Sequence, residues 1–182
     1  MEKNKNNEIV VSIICNTYNQ EEYIADAIES FLMQKTRFAY EVLVHDDAST
    51  DNTAYIIQKY EKLYPDIIKP IYQKENQYSK GVPIGFKYQY PRIKGKYVAY
   101  CEGDDYWTDA YKLQKQVEAL ENHPECDICA HPAYTVNAKS KEIVGKLEPS
   151  KENRIFTLEE VINGGGGFVA TNSLMLRKDN II

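Results

Sequence analysis

Four short, almost wholly apolar runs alternate with segments whose apolar residues recur every three or four positions. The runs cover residues 9–15, 40–45, 67–72 and 96–101. Near-continuous apolar runs are typical of strands covered on both faces, which are the strands of parallel sheets. The segment with Ile24, Ile28 and Phe31 has the spacing of a helix with one buried face. This alternation predicts an α/β fold with a mostly parallel central sheet.

Capping residues and prolines predict where several elements begin and end. Asn19, with Glu22 three residues later, and Thr108 are predicted to cap helices at their N-termini. Pro70 predicts that the third strand lies near a sheet edge, because proline cannot donate a backbone hydrogen bond. Further predicted elements are helices starting near Asp51, near Pro83 and at the Thr157–Glu160 capping box, and strands over 127–136 and 168–176.

Composition fits one compact domain and excludes some classes of partner. The chain has 182 residues, 43% of them hydrophobic, and a formal net charge of −5. A negative net charge provides no overall positive field for nucleic acid. No apolar run approaches the ~20 residues that span a bilayer, and the first residues lack the apolar stretch of a secretory signal. We therefore expect no nucleic-acid partner, no transmembrane segment and a cytoplasmic location.

Polar clusters follow three of the predicted strands. Residues 16–19 (NTYN) follow the first strand, Asp46 and Asp47 the second, and residues 102–105 (EGDD) the fourth. Ligands of parallel α/β sheets bind at the carboxyl ends of the strands. Each cluster alone has a structural explanation, because acidic residues also favour helix N-termini. Two acidic pairs at one sheet edge, however, repel each other unless a cation or a donor-rich ligand lies between them.

The acidic pairs, and a glycine beside one of them, favour a metal and a phosphorylated ligand. Magnesium and manganese prefer oxygen ligands and often bind one or two carboxylates together with substrate phosphates. Gly103 leaves out a side chain where we expect a diphosphate to approach the backbone. The residues by themselves thus predict a metal-dependent site for a phosphorylated ligand, and they do not identify that ligand.

Three segments, in order, resemble one known family. They are VSIICNTYN at 11–19, EVLVHDDASTDNT at 41–53 and GKYVAYCEGDDYW at 95–107, and KLQKQ follows at 112–116. Together they resemble the GT-A inverting glycosyltransferases of family 2, over essentially the whole chain. The resemblance implies a three-layer, Rossmann-like α/β fold in a single domain, 1–182. Its nucleotide-binding half would be about 8–107 and its acceptor-side half about 108–182.

The resemblance also implies a role for five residues. Asn16 and Tyr18 would line the pocket for the nucleotide base, with the Tyr18 ring available for stacking. Asp47 would accept a hydrogen bond from the ring NH of a uracil. Asp104 would contact the ribose or the metal shell, and Asp105 would be the direct ligand of Mn²⁺ or Mg²⁺. The metal would neutralise charge on the departing nucleoside diphosphate.

The reaction and its partners follow from the same resemblance. The expected reaction transfers a sugar from a nucleotide-diphospho-sugar, UDP-linked, to an acceptor hydroxyl with inversion. The acceptor would be a saccharide or lipid-linked saccharide in surface polysaccharide synthesis, with peripheral membrane association of the full-length enzyme. The family's general base follows the strand that resembles 168–176. Asp179 is too near that strand to match, so we expect the base beyond Ile182.

Other functions fit some of these features. A receiver-type signalling domain also has acidic residues around magnesium, but they follow its first strand, where this chain has NTYN. A sugar-nucleotide pyrophosphorylase needs a glycine-rich, basic first loop for a triphosphate. A non-catalytic nucleotide-binding fragment stays open. Cys126 and Cys129, with the histidines on either side, would need an unusually tight loop to bind zinc, so we expect no zinc site.

Overall fold

A six-stranded sheet forms the centre of the fold in a computed structural model that describes residues 8–181. The strands of the chain are β1 (Ile9–Thr17), β2 (Ala39–Asp46), β3 (Ile68–Tyr72), β4 (Tyr97–Tyr100), β5 (Ile128–Cys129), β6 (Ala133–Val136), β7 (Ile143–Leu147) and β8 (Met175–Arg177). The order in the sheet is β3-β2-β1-β4-β8-β5, while β6 and β7 form a separate antiparallel hairpin. The four strands from β3 to β4 are parallel and β8 runs antiparallel to its neighbours. The predicted mostly parallel sheet is confirmed, with Pro70 on its edge strand.

Four α-helices and one irregular helical segment connect the strands. They are α1 (Ile24–Leu32), α2 (Thr53–Leu63), α3 (Lys112–Asn122), α4 (Leu158–Gly164), and a π-helical turn (Gly85–Gln89) that continues as a 3₁₀ turn (Tyr90–Arg92). The Thr157–Glu160 capping box at the start of α4 and the helical stretch after Pro83 are confirmed. Within residues 8–181, no helix is both long and apolar enough to cross a membrane.

The two faces of the sheet are covered by different layers. Alternate residues of β1 and β2, such as Val11, Ile13 and Val42, face a core shared with α1, α2 and α3. The residues between them face the other side, where Ile14 and Leu43 pack with the segment that ends at Ile93. Because both faces are buried, the strands read as continuous apolar runs. The three-layer α/β fold is confirmed.

Both predicted caps of the long helices are wrong. α1 begins at Ile24 and α3 at Lys112, and neither has a side-chain cap. The carbonyl of Gln20 accepts hydrogen bonds from the next residues of a turn, and that turn delays the start of α1. Asn19 instead adopts a positive φ of 52°, a conformation that asparagine tolerates better than most residues.

The predicted strands of the second half are also partly wrong. The segment 127–136 divides into β5 and β6 around Pro132, and these two strands belong to different sheets. Proline lacks the N–H that a continuous strand would donate to its neighbour. The segment 168–176 contributes only its last two residues to β8, and a 3₁₀ turn (Thr171–Ser173) precedes them. β7 was not predicted.

A close backbone contact joins β1 to the loop before β4. Gly95 N and Lys94 N both donate to Ser12 Oγ, at 2.9 and 3.2 Å, and Ser12 Oγ donates to Glu41 at 2.8 Å. A Cβ on Gly95 would lie 2.6 Å from Ser12 N and 2.7 Å from the carbonyl carbon of Val11. Only glycine allows the loop to approach this closely, and the approach sets the start of β4 beside β1.

We predict that Gly95→Ala destabilises the fold by ~3 kcal/mol, the upper end of the usual cost of overpacking, because backbone atoms block the new methyl group. The matched control is Gly145→Ala in β7, where the nearest atom would be Thr135 Cβ at 3.5 Å. Its effect should stay within ~0.5 kcal/mol. Urea unfolding of both variants measures the difference, and equal stabilities would contradict the packing argument.

Candidate functional site

Three loops meet at the carboxyl edge of the sheet because β2, β1 and β4 are adjacent and parallel. The pairing continues past the strand ends: Asp47 N donates to Thr17 O and Gly103 N donates to Asn16 O, each at 3.0 Å. Asn19 adds a further link, since its Oδ1 accepts from Thr50 N at 2.8 Å. The polar clusters that follow the three strands are therefore held together as one site.

The first cleft at this edge has a volume of about 230 Å³. It is lined by Asn16, Thr17, Tyr18, Gln20, His45, Asp47, Asn76, Tyr78, Ile84, Glu102 and Asp104. The four residues expected to bind substrate, Asn16, Tyr18, Asp47 and Asp104, all lie on it. Tyr18 is 45% exposed, so its side chain is accessible to a ligand in the cleft. The structure thus brings the predicted substrate residues together.

Asp47 is a buried carboxylate that anchors a loop. Its Oδ1 accepts from Gln77 N at 2.8 Å and its Oδ2 accepts from Tyr78 N at 2.9 Å. This contact fixes the loop that supplies Asn76 and Tyr78 to the cleft wall. A carboxylate has about four lone-pair positions, so both oxygens retain capacity for a ligand.

Two buried side chains at this edge of the sheet, Gln89 and the cleft residue His45, were missed by the sequence analysis. Gln89 is fully buried, and its Nε2 donates to Asn16 Oδ1 and to Leu43 O, both at 3.0 Å. The ring of His45 stacks on Tyr88 with centroids 5.3 Å apart, and burial lowers the pKa of His45. The sequence pattern held no signal for Gln89. His45 could have been noticed, since it directly precedes the acidic pair Asp46–Asp47.

The acidic loop after β4 holds three carboxylates in one electrostatic group. Burial, followed by the charges of Asp104 and Glu102, raises the pKa of Asp105. Burial and Asp104 likewise raise the pKa of Glu102. The pKa of Asp46 is raised mainly by its own burial, with Asp51 and Asp47 as its charged neighbours. The two acidic pairs therefore do not form one cluster. Asp46 and Asp47 form one group, the carboxylates of the loop 102–105 form another, and the loop is the group that favours a cation.

This donor set fits a divalent ion only in part. Across residues 8–181, no three His, Cys, Asp or Glu side chains are arranged to hold a metal by themselves. Neighbouring carboxylates that repel each other do supply the hard oxygen ligands of Mg²⁺ or Mn²⁺, which often takes only one or two from the protein. Asp104 and Asp105 fit that role if phosphate and water complete the ion's shell.

Gly103 does not have the role expected from the sequence. A Cβ at this position would meet Gln20 Oε1 at 2.5 Å and Thr17 Oγ1 at 2.7 Å. The space beside Gly103 is thus filled by side chains that follow β1. The glycine allows the acidic loop to pack on the end of β1, and it is not a point of ligand approach.

A second cleft, of about 510 Å³, lies on the other side of the acidic loop. Asp104 lines both clefts, while Asp105 and Trp107 line only the second. The Trp107 ring is buried against Phe31, with centroids 5.0 Å apart, and its Nε1 donates to Asn172 O at 2.7 Å. Trp107 thus anchors the loop and also forms part of the cleft floor. Asp179 is exposed and lines neither cleft.

Comparison with protein families identifies this arrangement. The model of the Glycosyl transferase family 2 matches residues 12–181. The chain belongs to this family. The family predicted from the sequence and the GT-A type of α/β fold are thereby confirmed. The chain is therefore neither a receiver domain nor a sugar-nucleotide pyrophosphorylase.

Relatives and solved structures agree with the family 2 assignment. The chain is 41% identical over 171 residues to an uncharacterized protein of Mycobacterium tuberculosis, which is 92% of this chain and 47% of that protein. It is 35% identical over 112 residues to the UDP-Glc:alpha-D-GlcNAc-diphosphoundecaprenol beta-1,3-glucosyltransferase WfaP of Escherichia coli, 62% of this chain and 41% of that one. The chain therefore spans about half the length, or less, of these relatives.

A solved structure that contains UDP has the same fold. TarS of S. aureus in complex with UDP matches with a TM-score of 0.69 and 23% identity, covering 94% of this chain and 49% of that chain. Its complex with UDP-GlcNAc matches over a shorter region, with a TM-score of 0.55 and 28% identity, covering 66% of this chain and 33% of that chain.

We predict that Asp105→Asn raises the melting temperature of the ligand-free protein by a few degrees at neutral pH. The folded state raises the pKa of Asp105, so its ionised form costs folding free energy above that pKa. The gain is full at pH 7 and declines as the pH falls toward the unfolded-state pKa of ~3.9. Below that pH the carboxyl is protonated in the folded and unfolded states alike.

The matched control for this stability test is Asp109→Asn. Lys115 lowers the pKa of Asp109, so removing that carboxylate should lower stability at pH 7. Thermal unfolding at pH 7 and at about pH 3, roughly one unit below the unfolded-state pKa of an aspartate, measures both variants. A lower melting temperature of Asp105→Asn at pH 7 would show that Asp105 stabilises the loop and does not strain it.

Proposed function

We propose that this family 2 domain binds a UDP-linked sugar and supports transfer of that sugar to an acceptor hydroxyl with inversion. The observation that carries the proposal is the first cleft, where residues following three adjacent parallel strands converge. An aromatic ring, a buried carboxylate and an acidic loop there match the base, the ring NH and the diphosphate of such a donor.

Uridine is proposed as the nucleoside for two reasons. Asp47 is fixed by two backbone N–H groups and retains acceptor capacity toward the cleft, which suits the ring NH of uracil. Tyr18 is exposed on the same cleft and can stack on the base. The names of the WfaP relative and of a TarS complex contain UDP-Glc and UDP-GlcNAc, which supports a UDP-linked donor.

The acidic loop is proposed to hold the diphosphate through a divalent ion. Asp105 would be the direct ligand and Asp104, between the two clefts, would complete the shell or contact the ribose. Bound there, Mn²⁺ or Mg²⁺ would stabilise the negative charge that develops on the leaving nucleoside diphosphate. Because Asp104 lines both clefts, we propose that the reacting sugar binds at their junction.

The two clefts are lined by different parts of the chain. The first cleft is built from residues 16–104 and the second from residues 104–172, which supports a nucleotide-binding half near 8–107 and an acceptor-side half near 108–182. Inverting transfer needs a base that removes the acceptor proton. Asp109 lines the second cleft, but Lys115 lowers its pKa and it is a poor base. We propose that the base follows Ile182.

The acceptor is proposed to be a saccharide or a lipid-linked saccharide in surface polysaccharide synthesis. The WfaP relative is named for an acceptor joined to diphosphoundecaprenol, which is a lipid carrier. A cytoplasmic location, with peripheral membrane association of the full-length enzyme, belongs to the same proposal because such an acceptor lies at a membrane surface.

UDP should stabilise the chain more than GDP, ADP or CDP, because Asp47 reads an NH of the base. The shift should increase with Mn²⁺ or Mg²⁺. Ligand at 100 times its Kd adds ~2.7 kcal/mol to stability, so a thermal-shift panel of the four nucleotides with and without metal resolves the ranking. Equal shifts for all four, or none, would contradict donor binding.

Asp105→Asn should remove the metal-dependent part of the UDP shift and leave the metal-free part unchanged. The matched control is Asp109→Asn, whose carboxylate lines the second cleft but is paired with Lys115 at 2.6 Å. Isothermal titration of UDP with and without Mn²⁺ measures both variants. An unchanged response to Mn²⁺ in Asp105→Asn would show that the metal is held by other ligands.

A further inference from the structure

The inner wall of the second cleft contains polar atoms that the proposed function has not used. In the described part of the chain, six buried side-chain nitrogen or oxygen atoms have no hydrogen-bond partner, and four of them belong to residues of this cleft. They are Lys112 Nζ, Gln116 Oε1, His131 Nε2 and Asn172 Oδ1. A buried polar atom without a partner costs ~1–3 kcal/mol, so such a concentration at one wall indicates a ligand.

Lys112 is the cationic member of this wall. Its side chain is 4% exposed, and Nζ lies 3.6 Å from the centroid of the Trp107 ring. Burial lowers the pKa of Lys112 to about 7. The Trp107 ring stabilises the ammonium from one side, and Lys112 Nζ has no hydrogen-bond partner among the described residues.

The other three atoms are hydrogen-bond acceptors. Gln116 Nε2 donates to Ser173 O at 2.8 Å, which leaves Oε1 as the free end of that amide. His131 Nδ1 lies 2.8 Å from the carbonyl of Pro132 and must carry the proton, and burial lowers the pKa of the ring. Neutral His131 therefore presents a lone pair on Nε2. Asn172 contributes an amide oxygen.

These residues form one continuous wall. Lys112 and Gln116 are four residues apart on α3, so their side chains lie on the same face of that helix. Trp107 connects the wall to Asn172 through its Nε1, and Gln116 reaches the adjacent Ser173. The wall thus offers one cluster of donors and three acceptors within a single cleft.

We propose that this wall binds a pyranose ring through its hydroxyl groups, with Lys112, Gln116 and His131 determining which sugar is accepted. A hydroxyl both donates and accepts, so it satisfies the amine and the three acceptors alike. A phosphate or carboxylate would satisfy Lys112 but would face three acceptor lone pairs. A metal ion would face the ammonium. The inference rests on the proposed function for the source of the ring, which is either the donor sugar or the acceptor.

The test uses Lys112→Met and His131→Phe, with Lys115→Met as the matched control. Lys115 is on the same helix and lines the same cleft, but it is exposed and paired with Asp109. Methionine fills the space of Lys112 without a buried amine, so the melting temperature should not fall. The probes are UDP, UDP-glucose and UDP-N-acetylglucosamine by titration calorimetry, and methyl β-D-glucopyranoside and its N-acetylglucosamine analogue by saturation-transfer NMR.

A donor ring at the wall predicts that both variants bind the two UDP-sugars about tenfold or more weakly and bind UDP unchanged. An acceptor ring predicts unchanged UDP-sugar affinity and lost saturation transfer to the methyl glycosides. Either result supports the inference, provided that the control Lys115→Met does not show it. It is overturned if the wild type shows no sugar-dependent binding, or if both variants behave as the wild type. Absence of UDP binding would overturn the proposed function, while the glycoside comparison would still decide this inference.

Discussion

Parallel pairing of β2, β1 and β4 is the constraint on which the rest of the molecule depends. Three neighbouring strands that run in one direction must end at one edge, and the ladder continues past those ends through Asp47 N and Gly103 N. Polar loops far apart in sequence are thereby held within one site. The buried faces of α1, α2 and α3 stabilise the sheet, and so does the close approach of the loop at Gly95 to β1. By stabilising the sheet, these contacts also fix the geometry of the cleft.

Buried polar contacts then give the cleft its shape before any ligand binds. Gln89 holds the side chain of Asn16 from behind the sheet, and Asp47 holds the backbone of the loop at Gln77. Each contact lies in a protected environment, where an unmade hydrogen bond is costly. The wall proposed to receive the base is therefore preorganised, which reduces the ordering cost that a ligand must overcome.

The sequence predicted the parts of the structure that depend on burial pattern and missed those that depend on loops. Apolar runs predicted the sheet, and its topology then brought Asn16, Tyr18, Asp47 and Asp104 to one cleft. The caps at Asn19 and Thr108 failed because a turn of backbone hydrogen bonds can delay a helix without leaving a compositional trace. Gln89 acts across 73 residues from a π-helical turn, a distance that no local pattern encodes.

The acidic loop and the inner wall of the second cleft carry opposite electrostatic costs. In the acidic loop, burial and like charge raise the pKa values of Glu102 and Asp105. In the wall of the second cleft, burial lowers the pKa of Lys112. Neither arrangement stabilises the ligand-free fold, since buried charges without partners are unfavourable. A ligand with an ion-bound diphosphate at one end and hydroxyl groups at the other would relieve both costs, and a nucleotide-sugar has that order of groups. The two unfavourable groups thus occur in the same order as the diphosphate and the sugar of the proposed donor. The bond that reacts, between diphosphate and sugar, would lie at the junction at Asp104.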